Sequence, residues 1–82
     1  MAIKALKTKI LRVNVMNAYS NSVRSGNFSE AWLLFQLLRN GKVKLGFGDA
    51  HYMVERMLEK FGCRITYSRN YNIATAYLIH KQ

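Results

Sequence analysis

Proline is absent from this chain, cysteine and tryptophan occur once each, and acidic residues number four among 82. With no proline and no low-complexity run, and with half its residues apolar, the sequence has the material for a core and does not read as a disordered tail. The lone Cys63 excludes an internal disulfide and fits a reducing compartment or an absence of redox chemistry. No apolar run approaches the ~18 residues that span a bilayer, and the first residues show no secretory pattern of basic, apolar and small-residue regions. The expected location is the cytoplasm. At this length one domain over residues 1 to 82 is expected, with little room for an enclosed substrate cavity, so a binding role stands ahead of an enzymatic one.

The shortage of acid leaves 13 lysines and arginines against four carboxylates, a net charge of +9. Residues 1 to 29 hold Lys4, Lys7, Lys9, Arg12 and Arg24 with no acid. Glu30, Asp49, Glu55 and Glu59 all fall between 30 and 61, and Arg64, Arg69 and Lys81 follow. A field of this sign attracts polyanions, whether DNA, RNA or an acidic protein surface; its plain alternative is solubility.

Apolar residues Ile3, Leu6, Ile10, Val13, Met16, Tyr19 and Val23 recur at spacings of three and four, which predicts a long first helix with a basic, then amide-rich, exposed face. Leu11 and Val15 widen its apolar surface and imply contact on two sides, while residues 1 to 8 can instead extend as a basic arm. Ser25-Gly26-Asn27 stops it. A second helix runs through "AWLLFQLLR", capped by Asn27 or Ser29 and closed by Asn40-Gly41. It is apolar nearly all round, which predicts a central element with Trp32 and Phe35 in the core, the alternative being that one of them anchors a partner.

Lys42 to Phe47 alternates as a half-buried strand, and Asp49 is placed to cap a third helix with Met53, Val54, Met57, Leu58 and Phe61 on its apolar stripe. The glycines of "KLGFGDAHY" invite a ligand reading. A dinucleotide fingerprint needs a third glycine where His51 stands, and an RNA-recognition strand needs an aromatic where Asp49 lies. A phosphate at the helix N-terminus would meet the Asp49 carboxylate, so the stretch reads as a strand-to-helix joint. Beyond Gly62, Cys63, Ile65 and Tyr67 alternate with Arg64, Thr66 and Ser68, and the same period returns over Ile73 to His80. A hairpin across Arg69-Asn70-Tyr71-Asn72 accounts for both runs, although 73 to 80 also tolerates a helix.

Catalytic chemistry has thin support. Cys63 has no local partner signature and reads as a small buried hydrophobe. His51, Glu55 and Arg56 imitate the acid, base and cation of a small nuclease, yet a surface charge pair explains them equally. Metal binding by His51, His80, Cys63 and Asp49 has no ligand spacing behind it, and no cofactor is implied.

The expectation is therefore an α+β domain of two helices, a short strand, a third helix and a C-terminal hairpin in a small antiparallel sheet. From residue 29 onward the order is similar in outline to that of winged-helix proteins, with no motif accompanying the outline. The expected function is a non-enzymatic, regulatory, basic binding protein that contacts nucleic acid through phosphates. Its candidate contacts are Lys4, Lys7, Lys9, Arg12, Lys42, Lys44, Arg56, Lys60, Arg69 and Tyr71, with the basic first helix as the leading surface and Glu55 and Glu59 counting against the third helix as a major-groove reader. The rival is a protein-binding regulator or inhibitor that docks its cations on an acidic or nucleic-acid-binding groove of a cellular or host enzyme. A basic amphipathic first helix lying on an anionic membrane is a further alternative.

Overall fold

The computed structural model describes residues 2–70 and 72–81, with the backbone alone described for Ala2 and Lys4. In chain order it contains α1 (Ala2–Arg24), α2 (Phe28–Asn40), β1 (Lys42–Leu45), α3 (Asp49–Phe61), β2 (Cys63–Tyr67) and β3 (Ala74–His80). This is the expected α+β arrangement, and residues 74 to 80 take the strand alternative. Over residues 2 to 8 the chain forms the first turns of α1, as the helical spacing implies and not as the alternative arm, and the His80 amide donates to Thr8 Oγ1 at 3.3 Å.

The sheet runs β1-β3-β2 and is antiparallel throughout. Val43 pairs with Ala76 and Leu45 with Ala74; on the other side Ile65 pairs with Ala76, and the register shifts between Cys63 and Arg64. Buried Val43, Leu45, Ala74 and Ala76 share a core with Leu11, Val15, Leu34, Leu37, Val54 and Leu58 of the helices. Fully burying a leucine contributes about 1.5–3 kcal/mol, so Leu34, Leu37 and Leu58, each wholly enclosed, are among the side chains that stabilise it most. Alanine at 74 and 76 leaves space on β3 for the helices to lie close to the sheet.

Which way the helices face differs from expectation. The core side of α1 is Leu11, Val15, Ala18 and Ser22, one turn apart on a single line. The longer stripe points outward: Ile3 is 71 % exposed, Leu6 57 %, Ile10 53 % and Val13 51 %. An α-helix has one side for the sheet, and the smaller set at 11, 15 and 18 occupies it. In α2 the buried set is Ala31, Leu33, Leu34 and Leu37, whereas Trp32 and Phe35 stand at the surface with Phe28. The expected burial of those two aromatics is thus corrected, because a helix covered on one side buries only part of its circumference. In α3, Val54 and Leu58 are buried and Met53 is exposed.

The joints are local. Asn27 and Gly48 occupy the positions before α2 and α3, and neither helix has a side-chain cap. Asp49 therefore does not cap; it is the first residue of α3, where its charge still favours the helix dipole. Gly48 sits at φ 126°, ψ 154°, a backbone region essentially confined to glycine. At Gly62, φ is +90° and an added Cβ would lie 2.5 Å from His80 Nε2, so the end of α3 and the end of β3 meet through the missing side chain.

Candidate nucleic-acid interface

Pairing and alternation place a second set of side chains on the sheet face away from the core. Across the three strands, Lys42 is opposite Tyr77 and Tyr77 opposite Arg64; the next row is Lys44, Thr75 and Thr66. Lys42, Lys44, Arg64 and Thr66 are exposed, and Tyr77 between the two cations is partly buried. No acid lies in either row. Since neighbouring strands are ~4.8 Å apart, Lys42 and Arg64 flank the Tyr77 ring across about 10 Å of sheet. The hairpin continues from this sheet to an exposed tip at Arg69 and Asn70. Its neck is closed by the Ser68 amide to the Ile73 carbonyl at 2.8 Å, and Ser68 Oγ donates to Asn72 Oδ1.

The ten expected contacts do not form one surface. Lys42 and Lys44 are together on the sheet face. Lys7, Lys9 and Arg12 are exposed on α1, but at 100° per residue Lys7 and Lys9 diverge by about 160° around the helix. Arg56 and Lys60 are on α3 beside a cleft lined by Met53, Met57 and Phe61. Arg56 stands over the Tyr52 ring at 5.6 Å and donates to its hydroxyl at 3.1 Å. The Lys4 side chain and Tyr71 lie outside the described residues.

Arg64 and Tyr77 are absent from the ten, although the alternation of both strands is legible in the sequence; what the sequence lacks is the register that sets them opposite Lys42. The amides Asn14, Asn17 and Asn21 line a different cleft with Glu30, Met57 and Phe61.

The glycine stretch forms a joint held by His51. The Gly46 amide donates to His51 Nδ1 at 2.9 Å, which leaves the ring proton on Nε2. The other members of the nuclease-like set are engaged elsewhere. Tyr67 Oη donates to Glu55 Oε2 at 3.3 Å, and Arg56 turns to Tyr52. Partial desolvation, then the Glu55 and Glu59 carboxylates, push the Tyr67 phenol up. Cys63 is fully buried and burial raises its thiol from 9.0 to about 11, so it carries no thiolate at neutral pH. Among the described residues, no three of His, Cys, Asp and Glu converge on a point where a metal could sit. No helix in the described residues is long and apolar enough to cross a membrane.

No protein-family model matches the chain, and no curated sequence or solved structure matches it.

Proposed function

We propose that the protein is a non-enzymatic nucleic-acid-binding protein whose contact surface is the outer face of its sheet, and that it takes single strands. The observation that carries this reading is the cross-strand row Lys42, Tyr77, Arg64, with Lys44 in the row beside it and no carboxylate in either. An aromatic ring between cations is the elementary unit of sequence-tolerant single-strand binding: an unpaired base stacks on the ring while phosphates on either side meet the cations. A duplex keeps its bases stacked on one another and gains only the phosphate part. On α1 the cations diverge around the helix and alternate with apolar side chains, which supports the sheet as the better polyanion surface.

The test is fluorescence anisotropy with labelled single-stranded DNA, single-stranded RNA and duplex DNA across a salt series. Single strands are expected to bind more tightly than duplex. Replacing Lys42, Lys44 and Arg64 by glutamine should lower the log–log salt slope by about 2, given ~0.7 per phosphate contact on single strands. Tyr77→Ala should weaken binding by about 1–3 kcal/mol while leaving that slope in place. The reading is lost if affinity is insensitive to salt, if the triple variant binds like the parent with its circular dichroism unchanged, or if the strand is cleaved.

A further inference from the structure

The helices carry a feature that polyanion binding does not use. α2 presents Phe28, Trp32, Phe35 and Arg39 at spacings of four, three and four, a narrow ridge along its exposed side. Phe28 is 68 % exposed and Trp32 60 %. Beside it α1 presents Arg12, Met16, Tyr19 and Val23 at the same spacings. Three intervening residues join the helices as an antiparallel pair, and the Tyr19 and Phe35 rings meet at 6.2 Å. Trp32 stacks on Phe35 at 5.9 Å. Between the ridges lies an open cleft of about 390 Å³ lined by Tyr19, Val23, Phe28, Ala31, Trp32 and Phe35.

Because the helices are antiparallel, Arg12 on one ridge and Arg39 on the other fall toward the same end of this cleft. Neither ridge holds an acid, and Glu30 faces another cleft. The surface is therefore a shallow apolar cleft with aromatic sides, and past one end of its lining stand Arg39, about one turn beyond Phe35, and Arg12, about two turns beyond Tyr19. Each feature selects the occupant. A cleft between two helix ridges receives the apolar row of a third helix, in the helix-in-groove manner. Trp32 is a residue type that acts as a binding anchor, and Phe28 one enriched in the cores of interfaces. Arg12 and Arg39 call for carboxylates, since charge complementarity across an interface fixes partner and register. A second copy of this chain brings +9 of like charge and no acid on the same face. A bilayer has no row of anchors to fill a cleft.

We infer that the groove between α1 and α2 is a docking site for an amphipathic helix of another protein, with apolar anchors at three- and four-residue spacing and carboxylates at the end that meets Arg12 and Arg39. This site stands apart from the sheet face, and its occupation does not depend on nucleic-acid binding.

Trp32 is the single tryptophan, so its emission reports on this groove directly. The probe is a designed helical peptide of about 18 residues with leucines in one row and flanking glutamates, about five turns long. It is compared with the same peptide carrying lysines for glutamates, with phosphatidylserine vesicles, and with the protein alone over a concentration series. The glutamate peptide should shift Trp32 emission to the blue saturably. Phe28→Ala and the pair Arg12→Glu with Arg39→Glu should each weaken binding about tenfold or more, with helix content unchanged. The charge-reversed pair should now prefer the lysine peptide. Equal binding of the two peptides, or binding of neither, overturns the inference. A shift with vesicles and not with peptide overturns it in favour of a lipid surface, and a shift in the protein alone that tracks self-association overturns it in favour of a second copy.

Discussion

At Cys63 the burial of one thiol sets a pH response. Its folded value, about 11, lies above the 9.0 of the exposed group, so the unfolded chain loses this proton first as pH rises. The stabilisation is whole below pH 9 and drains away up to about pH 11, by up to about 2–3 kcal/mol at 1.36 kcal/mol per pH unit. Urea unfolding at pH 8 and pH 11 should show that loss beyond the loss measured for Cys63→Ala, and the native thiol should resist a disulfide reagent at pH 8. Gly62 is a second point where one residue carries a large consequence. Gly62→Ala combines an L side chain at φ +90° with a clash against His80, and should cost about 1–3 kcal/mol. Removing the ring with His80→Ala should recover the steric share and leave the backbone share, which a double-mutant cycle separates.

The two apolar sides of α1 give opposite expectations for similar substitutions. Leu11→Ala or Val15→Ala removes buried methyl groups and should cost about 2–4 kcal/mol, whereas Leu6→Ala or Ile10→Ala on the outward side should change stability by about 0.5 kcal/mol or less. Denaturant midpoints of the four variants check this. The same helix shows how far periodicity carries. Spacings of three and four reveal the helix, and its stop at Ser25-Gly26-Asn27, but both sides of it are apolar, and the longer stripe is the one left outside. Only the position of the sheet decides between them. α2 misleads for a related reason: a run with one polar residue in eight describes composition, and the side that meets the sheet is set by its neighbours. The strands are legible because period two admits two faces only. Their register is not, and so the sequence singles out Lys42 and Lys44 while passing over Tyr77 and Arg64, their neighbours across the sheet.

For the molecule as a whole, β3 supplies the tie between parts distant in sequence. It pairs with both other strands, meets the core through Ala74 and Ala76, and reaches Thr8 of α1 through the His80 amide. Small side chains at its centre make the layers intolerant of bulk: Ala76→Leu should force the helices off the sheet and cost about 1–3 kcal/mol or more, read as a lowered melting temperature. Of the three strands the middle one is also the last in chain order. A ribosome delivers α1, α2, β1 and α3 before the strand that joins β1 to β2 exists, so earlier portions of the chain hold apolar helix faces with no sheet to cover them. Folding therefore waits on residues 74 to 80, and translation halted at residue 73 should release a product that is cleared by proteases or held by chaperones rather than a smaller working domain.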